Sequence, residues 1–268
     1  IDFERMVQFH REKKAAATLF VHPNGHPYDS DLLALDEEDR VIRFDSKHNT
    51  RDYWYENCVN AGIFVFGRRI FDYVPEPVKR NLENDVIQAM VRSGEAVYGY
   101  RSPEYVKDVG TMERIHQTQR DLERGIIERK CLRKKQKCIF LDRDGTINVY
   151  KGLIAREEEL ELEPCAAQAI RKINESGFLA VVITNQPVVA RGMCGMEDVR
   201  RIHRKLETLL GREGVYLDGI YFCPHHPDKG YPEENPAYKI DCECRKPKTG
   251  LIEAAAKRFH IDVEHSWM

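Results

Sequence analysis

The carboxyl-terminal half of the sequence alternates between short apolar runs and amphipathic stretches. Residues 137–142 and 217–223 are short apolar segments, and residues 178–184 form a continuous apolar run, as expected at the centre of a parallel sheet. This strand–helix alternation predicts an α/β fold with a doubly wound parallel sheet, in which ligands bind at the carboxyl ends of the strands. The predicted helices cover 164–177, which Gly177 ends, 196–214, and 249–261, which Thr249 caps.

The first 118 residues are less regular and predict a smaller, mixed α/β domain. Between the two regions, residues 119–136 are highly charged and predict a solvated connecting helix. A nucleic-acid patch is the alternative there, and it is disfavoured because neither flank is basic. The carboxyl-terminal region starts at residue 137 and continues to residue 268. The elements predicted in the first region are strands at 16–22, 39–45, 60–67 and 95–101 and a helix at 82–94.

Composition narrows the class of protein. The 268 residues are 42% hydrophobic, enough for buried cores, and the 44 acidic and 42 basic residues give a net charge of −2. This balance predicts no nucleic-acid partner and no attraction to a membrane surface. No apolar run approaches the ~18 residues of a membrane helix, and no secretory signal opens the chain, so we expect a cytoplasmic location. The sequence starts at Ile1 and stops at Met268, and we expect both ends to be truncations.

Three of the eight cysteines crowd together with histidines near the carboxyl terminus. Thiolate and imidazole ligands at short spacing suit Zn²⁺, and four protein ligands indicate a structural site. His226 is as consistent with a zinc ligand as with a neighbouring or surface histidine. The alternative is a set of reduced cysteines in a loop, but the ligands flank a Gly/Pro-rich hairpin, 228–238, with no other source of order. The predicted zinc ligands are Cys223, His225, Cys242 and Cys244.

The first strand of this half runs directly into Asp142 and Asp144, and Gly145 then turns the chain. Two carboxylates at the end of a buried strand are costly to place. They suit a Mg²⁺-dependent site in which one carboxylate attacks phosphorus and the other acts as acid and base. A calcium-binding EF-hand loop fails, because its fifth position would be Thr146 and its closing Glu would be Leu153.

Polar residues follow the second strand, and a basic pair follows the last predicted zinc ligand. Thr184, Asn185 and Gln186 offer hydroxyl and amide groups that can hold phosphate oxygens. Arg245 and Lys246, fixed by a zinc-braced loop, could neutralise charge in the transition state. Each signal alone is weak, whereas the three segments in this order are specific.

These motifs resemble the haloacid-dehalogenase phosphatases, in particular the zinc-bearing branch of heptose-1,7-bisphosphate 7-phosphatases and histidinol phosphatases. The likeness rests on the segments 140–148, 181–186, 190–192, 218–227 and 242–247, and it spans nearly all of this half. It implies Asp142 as nucleophile and magnesium ligand, Asp144 as acid/base and second magnesium ligand, and Thr184 and Lys246 on the phosphoryl group. It implies substrate contacts from Arg143, Tyr150, Lys151, Gly152, Leu153, Asn185, Gln186 and Arg245.

The sequence departs from this family in two places. Pro187 and Val188 stand where the family usually has Ser-Gly, beside the substrate. The family's fourth motif, a Gly-Asp pair that supplies the remaining magnesium carboxylate, would follow residue 268. This difference predicts weak Mg²⁺ binding and slow or absent turnover.

Residues 1–118 resemble the carboxyl-terminal part of sugar-1-phosphate nucleotidyltransferases, through the segments 60–66, 82–87 and 108–115. The likeness implies sugar contacts from Asn60 and Glu83, near Gly62, and a metal ligand at Asp108. A turn, a helix-start acid and a cap are the ordinary alternatives for these positions. The family's Gly-rich nucleotide loop is absent, so we expect no nucleotidyl transfer.

Together the two resemblances imply a bifunctional enzyme of nucleotide-activated heptose synthesis, with a small sugar phosphate as substrate. The 7-phosphate is removed before the 1-phosphate is nucleotidylated, so the fusion is coherent, although this is an argument from association. The alternatives are a histidinol-phosphate phosphatase and a catalytically dead, zinc-stabilised fragment that binds sugar phosphates.

Overall fold

The computed structural model describes residues 1–228, 230 and 233–268. Lys229, Tyr231 and Pro232 of the predicted hairpin lie outside the described residues. The described strands form two sheets. In chain order the strands are β1 (Ala17–His22), β2 (Leu32–Leu35), β3 (Val41–Asp45), β4 (Val59–Phe66), β5 (Val97–Arg101), β6 (Cys138–Leu141), β7 (Leu179–Asn185) and β8 (Gly219–Cys223). The α-helices are α1 (Phe3–Glu12), α2 (Gln88–Arg92), α3 (Met112–Glu123), α4 (Ile126–Arg129), α5 (Ala166–Ser176), α6 (Met196–Arg212) and α7 (Gly250–Phe259).

The sheet of the carboxyl-terminal half has the order β6-β7-β8, and its strands are parallel. The central strand β7 is buried from Leu179 to Thr184, which accounts for its continuous apolar sequence. Helices α5 and α6 pack on the face that presents Val182, and α7 packs on the face that presents Val181. Helices therefore cover both faces, and the predicted doubly wound α/β fold is confirmed.

The sheet of the amino-terminal half has the order β3-β2-β4-β1-β5 and is mixed. Strand β1 pairs antiparallel with β4 and parallel with β5. The predicted strands are present, whereas α1 and β2 were not predicted. Helix α1 is mostly polar and buries only Met6 fully among its described residues, and β2 has only four residues, so neither gives a strong periodic signal.

Helical structure around the predicted linker differs in detail from the sequence pattern. The helix predicted at 82–94 is present, but its first part, Leu82–Ile87, is a π-helix that continues into α2. The single solvated helix predicted over 119–136 is not observed: α3 begins at Met112 and ends at Glu123, Gly125 has φ +68°, and α4 ends at Arg129. Ile126 is buried whereas Leu122 is exposed, so the apolar positions in this segment do not share one buried face.

The two halves are in direct contact through α6. The hydroxyl of Thr208 donates to the carbonyl of Tyr55 at 3.0 Å and accepts from its backbone N–H at 2.9 Å. Arg258 of α7 forms a salt bridge with Asp39 at 2.7 Å. A cavity of about 590 Å³ lies between the halves, and its lining includes Tyr55 and His203.

Three further details concern the edge strand and the helix ends of the carboxyl-terminal half. Trp267 pairs in parallel with Ile139, so backbone beyond α7 runs along the outer edge of β6. Gly177 has φ +81° and ends α5, as predicted. Thr249 occupies the position before α7 but does not cap it, because its hydroxyl donates to the carboxylate of Glu253 at 2.6 Å instead.

Candidate active site and metal centre

The predicted phosphatase residues lie at the carboxyl ends of the parallel strands. Asp142 follows β6, Thr184 and Asn185 end β7, and Cys223 ends β8. Gly145, with φ +74°, turns the chain sharply after the two aspartates, and its backbone N–H donates to the carbonyl of Asn148 at 2.8 Å. Because these ends meet at one edge of the sheet, the fold brings three distant segments together.

Asp142 has the open carboxylate of the site, with its side chain 44% exposed. Its Oδ2 lies 2.8 Å from Nζ of Lys246, and its Oδ1 accepts from the backbone N–H of Arg143 at 2.8 Å. The ammonium group lies directly beside the carboxylate on the exposed side. An anion that approaches Asp142 therefore meets a positive charge at the same point.

The backbone of Lys246 is fixed by the end of strand β7. Asn185 accepts from the backbone N–H of Lys246 at 3.0 Å through Oδ1 and donates to its carbonyl at 3.2 Å through Nδ2. Arg245 donates to the carbonyl of His225 at 3.2 Å. These bonds join the basic pair to the central strand and to the Cys/His loop, as the sequence predicted for a braced loop.

Asp144 is held by three side chains. Oδ1 accepts from Nε of Arg143 at 3.1 Å, from Nη2 of Arg143 at 2.9 Å and from Nδ2 of Asn148 at 3.1 Å. Oδ2 accepts from Nη2 of Arg143 at 3.1 Å and from Nε2 of Gln186 at 2.8 Å. The side chain is 19% exposed, so the two aspartates have different surroundings.

The expected substrate contacts of Arg143 and Gln186 are contradicted by their burial. Arg143 is 0% and Gln186 2% exposed, and both side chains point at Asp144 from the protein interior. The alternation of side chains along the chain after β6 places Asp142 outward and Arg143 inward. Asn185 likewise uses both ends of its amide on the backbone of Lys246, which leaves it a supporting role.

Burial changes the pKa values of two residues on the interior side of the site. Burial lowers the pKa of Arg143, although the Asp144 carboxylate opposes this shift. Burial, with the charge of Arg143 beside it, lowers the pKa of His203 well below its ordinary value. His203 is therefore neutral at physiological pH. Thr184 is also buried, and its hydroxyl oxygen accepts from Gln186 at 2.9 Å.

The loop from Tyr150 to Leu153, whose residues are expected to contact the substrate, lies over the turn. Tyr150 is 71% exposed, and its Cβ lies 3.5 Å from where a Cβ on Gly145 would be. Lys151 pairs with Glu161 at 2.8 Å, and Gly152 has φ +77°. Leu153 packs against the buried cluster of Val188, Val189 and Val199. Val188, one of the two residues that replace Ser-Gly, is thus part of the apolar packing of this loop, and Pro187 is buried.

The predicted zinc ligands form one compact cluster. One ligand atom from each of Cys223, His225, Cys242 and Cys244 lies within 4.8 Å of all the others. The Sγ atoms of Cys242 and Cys244 are 3.2 Å apart, and those of Cys223 and Cys242 are 3.5 Å apart. A disulfide requires about 2.0 Å, whereas tetrahedral Zn–S bonds of ~2.3 Å place sulfur atoms about 3.8 Å apart.

The chemistry of this donor set fits Zn²⁺. Burial lowers the pKa of His225, so its imidazole is neutral, as a metal ligand must be. Nδ1 of His225 lies 3.3 Å from Sγ of Cys244. His226 is not in the cluster, and its Nδ1 accepts from the backbone N–H of Asp228 at 3.2 Å. The open question about His226 is answered in favour of a neighbouring, hydrogen-bonded histidine.

The aspartate site offers oxygen donors of the kind that Mg²⁺ prefers. In the described part of the chain, no third Asp, Glu, His or Cys joins Asp142 and Asp144 in a metal-binding group. The open carboxylate of Asp142 and the backbone carbonyl of Asp144 are the available protein ligands. The set fits a cation that keeps several water or phosphate ligands.

The amino-terminal candidates are not brought together. Asn60 accepts from the backbone N–H of Gly62 at 3.3 Å, and Asp108 pairs with Arg114 at 2.8 Å. Glu83 lies in the first turn of the π-helix. No hydrogen bond or ion pair found among the described residues joins Asn60, Glu83 and Asp108, and Asp108 belongs to no metal-binding group there.

Two residues at the site had no role in the sequence analysis. Asn148 lies within the strand-end motif, and its contact with Asp144 follows from a four-residue spacing across the Gly145 turn. His203 reaches the site from α6 and lies 3.2 Å from Nη1 of Arg143. The helical spacing predicts that His203 is on the buried face, but no sequence signal pairs it with Arg143.

Comparisons with known proteins find two kinds of relative. The model of the Nucleotidyl transferase family matches residues 1–125. A D-glycero-β-D-manno-heptose-1,7-bisphosphate 7-phosphatase of Haemophilus ducreyi is 36% identical over 134 residues, which are 50% of this chain and 71% of that protein. The protein of the same name from Yersinia pestis is 41% identical over 130 residues, 48% of this chain and 67% of that protein.

Among solved structures, a D,D-heptose 1,7-bisphosphate phosphatase from B. bronchiseptica, complexed with magnesium and phosphate, is 32% identical with a TM-score of 0.41. The match covers 48% of this chain and 66% of that one. The chain thus spans about two-thirds of the length of these relatives. No described helix has the length and apolar character that crossing a bilayer requires.

Proposed function

Because the chain belongs, through its carboxyl-terminal half, to the D-glycero-β-D-manno-heptose-1,7-bisphosphate 7-phosphatase family, we propose that it hydrolyses the 7-phosphate of that heptose bisphosphate. The named relatives are phosphoric monoester hydrolases. One observation carries the proposal. The exposed carboxylate of Asp142 lies 2.8 Å from Nζ of Lys246, and the neighbouring Asp144 carboxylate is held by the buried Arg143.

In the proposed mechanism Asp142 is the nucleophile. Its exposed carboxylate oxygen attacks phosphorus, and the bond from phosphorus to the sugar oxygen breaks as the aspartyl-phosphate bond forms. Its contact with the backbone N–H of Arg143 fixes the orientation of the attacking group. A water molecule then attacks phosphorus, releases inorganic phosphate and restores the carboxylate.

Asp144 is the proposed acid and base. It gives a proton to the departing sugar oxygen and later takes one from the attacking water, so the proton count balances over the cycle. A sugar alkoxide is a poor leaving group, and protonation is essential for its departure. The partial burial of Asp144 and its donors on both oxygens suit a group that must keep one orientation.

Lys246 supplies the positive charge that balances the phosphoryl oxygens. Its Nζ is 2.8 Å from Asp142 and its backbone is held at both ends by Asn185, so the charge is already in place before substrate binds. Thr184 keeps a hydroxyl hydrogen that it can donate at the same strand end. Arg245 remains the proposed contact to the rest of the substrate.

Magnesium and zinc have different proposed roles. Mg²⁺, held by the carboxylate of Asp142 and the carbonyl of Asp144, would offset the repulsion between the nucleophile and the phosphate. Zinc would bind Cys223, His225, Cys242 and Cys244 and would be structural, because four protein ligands fill a tetrahedral site. It would fix the loop that ends in Arg245 and Lys246.

The proposed biological context is nucleotide-activated heptose synthesis, with the amino-terminal half as a nucleotidyltransferase-like part. The match of residues 1–125 to the Nucleotidyl transferase family supports this context. Because the 7-phosphate is removed before the 1-position is activated, the product of the phosphatase reaction leads to the substrate of a nucleotidyltransferase reaction.

The test is Mg²⁺-dependent phosphate release from heptose 1,7-bisphosphate and, in parallel, from histidinol phosphate. We expect slow but measurable release from the heptose substrate, with a loss of about 10³-fold or more in Asp142→Asn. Preference for histidinol phosphate would contradict the substrate assignment and keep the mechanism. No release from either substrate by folded, zinc-loaded protein would contradict the proposed activity.

A further inference from the structure

A row of three side chains, two of them buried, connects helix α6 to the proposed acid/base. The row consists of His203, Arg143 and Asp144. Nε2 of His203 lies 3.2 Å from Nη1 of Arg143, and Arg143 forms a fork on Asp144 through Nε and Nη2. Arg143 is fully buried and His203 is 6% exposed. Neither side chain faces the open side of the site.

The tautomer of His203 follows from its hydrogen bond with Arg143. A guanidinium only donates, so Nε2 of His203 must accept from Arg143, and the proton of the neutral imidazole must be on Nδ1. The ring lies edge-on against Phe222, with ring centroids 5.0 Å apart and planes at 68°. This packing fixes the ring so that its acceptor nitrogen points at Arg143.

A buried guanidinium without good partners is strongly destabilising, so the partners of Arg143 are informative. Here Nη1 is directed at His203, while Nε and Nη2 are directed at Asp144. The planar fork can turn only if one of these contacts breaks. His203 therefore limits the rotation of the group that sets the orientation of Asp144.

The two oxygens of Asp144 are not equivalent in this arrangement. Oδ1 accepts three hydrogen bonds, two from Arg143 and one from Asn148. Oδ2 accepts two, one from Arg143 and one from Gln186. Because Oδ2 has fewer donors than Oδ1 and needs to release only one of them to bind a proton, it is the oxygen assigned to proton exchange with substrate.

We infer that Arg143 and His203 are positioning residues for Asp144, and that they keep Oδ2 directed at the leaving oxygen of the phosphate ester. This inference rests on the proposed function. In the step concerned, the bond from phosphorus to the sugar oxygen breaks as the bond to Asp142 forms, and the proton of Oδ2 moves to the sugar oxygen. Neither positioning residue touches the reacting atoms.

The role is tested by leaving-group dependence. Heptose 1,7-bisphosphate has an alkoxide leaving group that needs a proton, whereas acetyl phosphate and p-nitrophenyl phosphate have leaving groups that depart without one. We compare kcat/KM, which reports the steps up to leaving-group departure, for wild type, His203→Ala, His203→Gln and Arg143→Lys. Ile202→Val, a buried neighbour on α6, is the matched packing control.

We expect kcat/KM of His203→Ala for the heptose substrate to fall about tenfold, as for loss of a hydrogen bond to a charged group, with the activated substrates within about twofold of wild type. His203→Gln restores an acceptor and should recover most of the loss. Arg143→Lys removes the fork and should fall further on the heptose substrate alone. Ile202→Val should leave the ratio between substrates unchanged.

Equal losses on all substrates would overturn the inference and indicate a purely structural role, as would a loss that His203→Gln does not recover. An unchanged His203→Ala would overturn it as well. Urea unfolding of each variant separates a fold defect from a positioning defect. Failure of the proposed function is distinguishable, because wild type itself would then release no phosphate from heptose 1,7-bisphosphate.

Discussion

The two halves of the molecule position their candidate residues in different ways. In the carboxyl-terminal half, residues from β6, β7 and the Cys/His loop meet at one sheet edge, where Lys246 lies 2.8 Å from Asp142. In the amino-terminal half, Asn60, Glu83 and Asp108 each have local partners or lie in separate elements. Short motifs build a site only where the topology brings their strand ends together.

The difference also concerns what holds the side chains. Asn185 fixes Lys246, and Arg143 fixes Asp144, so each proposed reacting group is held by a second residue behind it. Asp108 is 79% exposed at its side chain and pairs with Arg114 at the surface. A surface pair of this kind contributes little to orientation.

The largest expected effect is on the metal centre, and it should be confined to one half. Purified protein should hold about one Zn²⁺ per chain, and Cys244→Ser should lose it. We expect the free energy of unfolding to fall by about 3 kcal/mol or more, with a Tm about 10 °C lower. Metal analysis and thermal unfolding measure both quantities.

The matched control for this prediction is Cys165→Ser, because Cys165 is an exposed free thiol. It should keep zinc and Tm. Hydrogen exchange in β1 to β5 should be unchanged in Cys244→Ser if the centre supports its own half only. Full zinc content in Cys244→Ser, or substoichiometric zinc in folded wild type, would contradict the assignment.

The next effect concerns acid stability of the amino-terminal half. Burial, with the nearby Lys130 charge, lowers the pKa of His22 to about 4. The unfolded chain takes up this proton near pH 6.5, so the stability from neutral His22 is complete above that pH and is lost as pH falls toward 4. The loss should be about 3 kcal/mol.

Urea unfolding from pH 7 to pH 4 measures this slope. His22→Gln, which has no titrating group, should reduce the fall in unfolding free energy over that range. An identical slope in His22→Gln and wild type would show that His22 does not cause it.

The proposed charge of Lys246 gives an effect on rate. Lys246→Ala should lower kcat/KM for phosphate release by about 10²-fold, because the transition state loses a preorganised positive charge. Lys248→Ala is the control two residues further on, since Lys248 pairs with Asp241 and Glu243 at the surface. Similar losses in the two variants would mean that general surface charge, not the contact with Asp142, is responsible.

The smallest expected effect concerns the candidate residues of the amino-terminal half. Asn60→Ala, Glu83→Gln and Asp108→Asn should each leave kcat/KM for phosphate release within about twofold of wild type, as for surface changes away from a site. A large loss in any of them would show that the amino-terminal half contributes to phosphate hydrolysis, and it would remove the contrast between the halves.

Much of the fold and the composition of the site could be predicted from the sequence. Apolar runs ending in Asp142 and Thr184 identified strand ends, and the spacing of Cys242 and Cys244 identified the metal cluster. The orientation of Arg143 and Gln186 could not be predicted, because adjacent residues at a strand end point to opposite sides, and only the turn decides which side is the site.

Contacts between distant elements were also beyond the sequence. His203 is separated from Arg143 by 60 positions and meets it only because α6 packs on the sheet beside β6. The same limit applies to Leu153, which packs against the cluster that contains Val188. Periodicity predicts that a residue is buried but not which residue it contacts.

The most direct test of the central claim is ³¹P NMR of heptose 1,7-bisphosphate during incubation with the chain and with Asp142→Asn. The account predicts that the 7-phosphate signal declines as inorganic phosphate grows, that the 1-phosphate signal persists, and that Asp142→Asn shows neither change. Loss of the 1-phosphate, or equal phosphate release by Asp142→Asn, would contradict Asp142 as the nucleophile of a 7-phosphatase.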